Sequence, residues 1–148
     1  MMKKVFEISV QVGQPVLVGQ DEVSGRRQLI PILSGQLSGE NINGTVLPGG
    51  VDSQVIRPDG VCELSARYAI RLDDGEGLYI ENNGIRTVPD AYVDQVKNGA
   101  FIDPELYYFR TTPAFEVYSE RYRWLTRHVF SCQAKRFPDR VVLEFFQL

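Results

Sequence analysis

Apolar and polar residues alternate with a period of two along most of this chain. "VFEISVQV" sets Phe6, Ile8, Val10 and Val12 on one face and Glu7, Ser9 and Gln11 on the other. "CELSARYAIRL" sets Leu64, Ala66, Tyr68, Ile70 and Leu72 against Glu63, Ser65, Arg67, Ala69 and Arg71. Such alternation predicts half-buried β-strands. Shorter or mixed runs predict further strands in "RRQLIPIL", "GENINGTVL", "GLYIEN", "FEVY", "WLTRHVFSCQAKR" and "VVLEFFQL". "RPDG" and "LDDG" end in Gly60 and Gly75. Each offers an aspartate to cap a turn and a glycine free to take positive φ. They bracket one strand, so Val51 to Asn83 reads as an antiparallel meander.

One segment departs from the pattern. In "VPDAYVDQVKNG", Asp90 is a candidate N-cap and Tyr92, Val93 and Val96 have helical spacing. Gly99 is a stop signal. A helix of about two turns is expected from Ala91 to Lys97. With "FIDPELYYF" and its turn at Asp103 and Pro104, it forms an excursion between two strands. Long excursions in compact β domains cover or bind something. The expected fold is all-β, one antiparallel barrel of about eight strands over residues 1–148 with one short helical excursion. Closure of a barrel removes exposed strand edges.

Composition narrows the functions. The chain has 148 residues, 43% of them hydrophobic and 24% charged, with a net charge of −3. That balance argues against general nucleic-acid binding, which needs a basic face. No apolar run approaches the ~20 residues of a membrane-spanning helix. The opening "MMKK" followed by apolar residues is interrupted by Glu7 and Gln11 and lacks a small-residue cleavage site. Two distant cysteines, Cys62 and Cys132, fit a reduced, cytoplasmic setting. One histidine and no Cys-x-x-Cys leave no metal-site pattern. His128 and Cys132, read on one strand, would stand about 13 Å apart at about 3.3 Å per residue, too far to pair.

The run "TVLPGGVDSQVIRPDG" raises the question of a phosphate cradle. It lacks the lysine of a Walker loop and the third glycine and helix of a dinucleotide fingerprint. It reads as a strand, a Pro-Gly-Gly bend or bulge, and another strand. In order along the chain come "RRQLIPILSG", this run, "LSARYAIRLDDGEGLYIENNGIR", "YYFRTTPAFEV" and "YRWLTRHVF". Together they resemble the bacterial and fungal family called domain of unknown function 3237, from about Phe6 to the C-terminus. The resemblance implies a barrel similar to allene oxide cyclase and other small cofactor-free barrels, without an established activity. Ser53 stands where the family often has tryptophan, Thr126 where it often has asparagine, and Ser34 with Gly35 where it often has two glycines.

Candidate chemistry follows from residue types. Asp52, delivered by the Gly-Gly bend, is either a carboxylate at a barrel mouth or a turn cap. Glu116 is a second candidate proton carrier, or a solvated strand residue. Arg67, flanked by the small Ser65 and Ala69, binds an oxyanion if its face points inward and is solvated if outward. Tyr108 and Arg110 share a face and together suit one oxyanion, with a surface pair as the plain alternative. Asn82 and Arg86 lie in "NNGIR", a turn signal whose polar groups suit a barrel rim. Trp124, the only tryptophan, is a core or rim aromatic or a stacking platform. These residues suggest a pocket for a small oxygenated organic molecule, served by a cofactor-free isomerase, cyclase or lyase. A non-catalytic binding protein would use the same pocket. A structural role is the third possibility. "VVLEFFQL" is apolar on both faces, so a homodimer or larger homo-oligomer is expected.

Overall fold

The computed structural model describes residues 2–148. Among the described residues there are ten strands: β1 (Lys3–Val12), β2 (Val16–Asp21), β3 (Gly25–Gly39), β4 (Asn43–Val46), β5 (Gly50–Ile56), β6 (Cys62–Leu72), β7 (Gly77–Thr87), β8 (Tyr108–Val117), β9 (Phe130–Arg136) and β10 (Arg140–Gln147). All strand pairings are antiparallel. The ring runs β1, β10, β9, β8, β7, β6, then β4 with β5, then β3, and closes by pairing β3 with β1. Eight staves therefore make a closed barrel, since β4 and β5 form one stave. Val46 sits opposite Gly35 and Gly50 opposite Ile32, so the chain keeps its direction across the interruption.

That interruption is "LPG", which answers the question of the glycine run: it is a bulge within a stave. Leu47, the first residue past β4, still donates its amide to the Ala69 carbonyl at 2.9 Å. Gly49 adopts φ +103. Gly50 is required by packing: a Cβ there would lie 2.4 Å from the Tyr68 Cβ and 2.8 Å from the Arg67 carbonyl oxygen. The bulge thereby sets the phase of β5 and turns Asp52 and Gln54 toward the barrel interior.

The alternation predicts the inner face well. Phe6, Ile8 and Val10 of β1 are buried, as are Leu64, Tyr68, Ile70 and Leu72 of β6. The turns ending in Gly60 and Gly75 form as expected, with φ +89 and +86. Asp59 and Asp74 accept from the backbone amides of Val61 and Glu76.

The excursion after β7 is a 3-10 turn (Asp90–Tyr92) running into helix α1 (Val93–Lys97). Asp90 lies inside the 3-10 turn and makes no side-chain cap, so the expected N-cap is not formed. Asp103 does cap the following turn, accepting from Glu105 N at 3.0 Å. Two expectations change more. "WLT" ends a 3-10 segment (Glu120–Thr126) instead of opening a strand, because Tyr122 and Leu125, three residues apart, both reach the core. His128 therefore precedes β9 and does not share a strand with Cys132. The second is β2, absent from the pattern reading, whose residues are all exposed.

The interior has two halves. At one end Phe6 stacks on Phe145 at 4.7 Å, and Phe115 meets Phe130 edge-on at 5.2 Å. Tyr122 and Leu125 also enter this core. The half toward the β2–β3 hairpin is polar and hollow.

Candidate functional site

A cavity of about 420 Å³ opens at the hollow end. Its apolar wall includes Val10, Ile30, Leu64 and Leu143. Its polar groups include Gln28, Asp52, Gln54, Tyr68, Asn82, Arg86 and Arg136, with Gln14, Asn98 and Arg140 also in the lining. Strand register explains their convergence. Ile30, Asp52, Ala66 and Asn82 are successive neighbours across β3, β5, β6 and β7. The small Ala66 stands between two polar residues and leaves the space between them open. One level along, Gln28 and Gln54 face each other across β3 and β5.

Asp52 is held from one side. Gln54 Nε2 donates to Asp52 Oδ2 at 2.8 Å. Gln28 Nε2 donates to Gln54 Oε1 at 2.8 Å, and Arg26 Nε donates to Gln28 Oε1 at 3.0 Å. Every amide in this chain is oriented by the next, so the Asp52 rotamer is fixed. Its Oδ1 is buried with no partner, and so are Tyr68 Oη and Asn82 Oδ1. Buried oxygens of this kind normally find a partner. All three belong to residues of the cavity lining, and each oxygen has almost no accessible surface, so a ligand bonds them only after a small side-chain shift.

Burial pushes the Asp52 carboxyl above its ordinary range, against weaker opposing pulls from Gln54, Arg86 and the Ser65 amide. A neutral carboxyl can donate a proton, and its conjugate base can retrieve one. Burial also raises Tyr68 far above the usual phenol range, so it is a neutral O–H. Arg86 lies over the Phe109 ring at 5.6 Å. Arg136 donates from Nη1 to the Val96 carbonyl at 3.3 Å, and its backbone amide donates to Tyr107 Oη at 2.8 Å. The excursion thus braces one wall of the mouth.

Of the residues singled out in the sequence, Asp52, Asn82 and Arg86 meet at this cavity. The others do not. Arg67 points outward and pairs with Glu81 at 3.4 Å. Tyr108 is exposed, and Arg110 lies over its ring at 5.3 Å on the same outer face. Glu116 also projects outward, beside Tyr79 and Tyr118. The reason is phase: β8 buries Phe109, Thr111, Phe115 and Val117, which forces the alternate residues out. Trp124 packs near Phe130, 6.0 Å between ring centres, at the aromatic end. Ser53 faces out and accepts from Arg27, and Thr126 bonds the Arg123 carbonyl, so neither departure falls in the cavity lining.

Gln28, Gln54, Tyr68 and Arg136 escaped the sequence reading. Period two was the available signal: Gln54 follows Asp52 by two, and Arg136 continues the inward row of Phe130, Cys132 and Ala134. Cys62 and Cys132 are buried and free. Burial pushes the Cys132 thiol up to about 12, so it is unreactive. Among the described residues no cluster of His, Cys, Asp or Glu has metal-site geometry, and no helix is long and apolar enough to cross a membrane.

A closed antiparallel eight-stave barrel with a polar, half-open interior is thus the class of protein defined here. The chain belongs to the family described as "Protein of unknown function (DUF3237)", whose model matches residues 1–148. It is 62% identical over 146 residues to a UPF0311 protein of Clostridium acetobutylicum, covering 99% of this chain and 92% of that one. Two solved structures are similar throughout. A conserved protein of unknown function from Rhodopseudomonas palustris superposes with TM-score 0.93 at 43% identity, covering 99% of this chain and 95% of that one. A β-barrel-like protein from Acinetobacter baumannii AYE gives TM-score 0.86 at 28% identity, covering 99% and 94%.

Proposed function

We propose that the chain binds a small oxygenated organic molecule in the polar half of its barrel, and that Asp52 moves a proton on it. The observation that carries this is the Asp52 carboxyl, fixed through Oδ2 and unpartnered at Oδ1 beside a cavity of about 420 Å³. Pockets for small molecules have this character: mostly apolar walls with a few convergent polar groups. Tyr68 and Asn82 bond ligand oxygens, and Arg86 stabilises negative charge as it develops. The reaction class is isomerisation, cyclisation or elimination. Asp52 donates its proton at one position and its carboxylate retrieves one from another or from water, so the carboxyl ends the cycle as it began.

Native mass spectrometry after incubation with a panel of small ketones, phenols and hydroxy acids tests the reading. A 1:1 adduct is expected in the wild type and not in Ala66→Leu, which fills the space between Asp52 and Asn82. For any panel member that is converted, Asp52→Asn keeps the adduct and abolishes conversion. An adduct that survives Ala66→Leu in a folded protein, or no adduct across the panel, contradicts the reading.

A further inference from the structure

We propose that the molecule bound here is an organic acid whose carboxylate lies between Arg86 and Arg136. This rests on the pocket reading above and adds the charge of the ligand to it. Arg86 ends the inward row of β7, after Leu78, Ile80, Asn82 and Gly84. Arg136 ends the inward row of β9. The two strands flank β8, so both guanidinium groups reach the same mouth, and both line the cavity.

Four of the ten other arginines pair with a carboxylate. Arg57 pairs with Asp59, Arg67 with Glu81, Arg123 with Glu120 and Arg140 with Asp139. Among the described residues, Arg86 and Arg136 have no carboxylate at ion-pair distance, although both are half-buried. Asp52, the one acid of the cavity lining, is bonded to Gln54 and attracts Arg86 from beyond ion-pair distance. Two like charges on one wall repel, and burial adds a desolvation cost. Both effects lower the Arg136 pKa, burial first and Arg86 second. A bound anion offsets both by its attraction to the pair.

The pair is also held in place before any ligand arrives. Arg136 is tied to the Val96 carbonyl, and Arg86 rests on Phe109. Guanidinium groups fixed in this way suit the planar carboxylate. The apolar residues of the wall, Ile30, Leu64, Phe109 and Leu143 among them, then take the carbon skeleton, and the acid's reactive oxygen or carbon reaches toward Asp52.

The test compares 3-phenylpropanoate with 3-phenylpropanamide, two probes of the same shape that differ in charge, by calorimetric titration of the wild-type protein near neutral pH. The acid is expected to bind about tenfold tighter or more than the amide, the range of a charge-assisted pair. Arg86→Gln and Arg136→Gln each remove that preference, read as the ratio of acid to amide affinity within each variant, while outward-facing Arg67→Gln keeps it. Circular dichroism confirms that each variant is folded, and the wild-type comparison needs no variant at all. Equal binding of acid and amide overturns this inference and leaves the pocket reading standing. A preference that persists in both arginine variants also overturns it. Binding of neither probe overturns the two together.

Discussion

Gln54 and Asp52 are two residues apart on β5, and Gln54 Nε2 donates to Asp52 Oδ2 at 2.8 Å, leaving Asp52 Oδ1 buried and unpartnered. This relationship sets both the orientation of the acid and its readiness to bond something else. It depends on Gln28, which fixes the Gln54 amide in the donating orientation.

Replacement of Gln54 by leucine strands two polar groups, Asp52 Oδ2 and Gln28 Nε2. A loss of about 1–3 kcal/mol is expected, the cost of unsatisfied buried groups. Urea denaturation measures it. Unchanged stability would show that the chain of amides is replaceable by water.

Asp52 carries a pH-dependent cost. Its folded pKa lies above the ordinary value of 3.8, so the folded state binds more protons than the unfolded one above that pH. Stability from this group is complete below pH 3.8 and lost as pH rises through the folded pKa. Asp52→Asn removes the dependence. The melting temperatures of variant and wild type should converge in acid, with the variant higher near neutral pH. A constant difference across pH would contradict the assignment.

Gly50→Ala places a methyl group against the Tyr68 Cβ and the Arg67 carbonyl. Destabilisation of about 1–3 kcal/mol is expected, with the bulge shifted. Thermal melting measures it. A neutral substitution would mean that β5 shifts freely against β6.

Arg67→Ala should cost less than about 1 kcal/mol, because the pair with Glu81 is exposed. It should leave ligand binding unchanged. A loss of binding in this variant would place a functional surface on the outer face.

Cys132 offers a probe of the barrel itself. Buried among Thr111 and Asn82, with its thiol pushed up to about 12, it should resist thiol reagents in the folded state and react once the chain unfolds. Rapid modification at neutral pH under native conditions would contradict a closed barrel.

The strands and their inner faces were legible where alternation was clean, as in β1 and β6. Residue types alone could not say which face of an isolated strand turns inward. On β6 the more apolar face is the inner one, so Arg67 projects to solvent. On β8 the aromatic and polar residues interleave, and the charged set of Arg110 and Glu116 was an equally plausible lining until register resolved it. Asp52 was legible because the glycine bulge points to it. Gln28 and Arg136 were not, since their partners lie on other strands or in the excursion. β2 escaped because "VLV" between Pro15 and Gly19 has no alternation and buries nothing.

The most direct measurement is amide-detected NMR of the wild-type protein titrated with small oxygenated fragments. The account predicts that the largest shifts fall at Asp52, Gln54, Ala66, Asn82 and Arg86, around the cavity at the polar end. Shifts confined to the outer face of β8 or to the surroundings of Trp124 would contradict it.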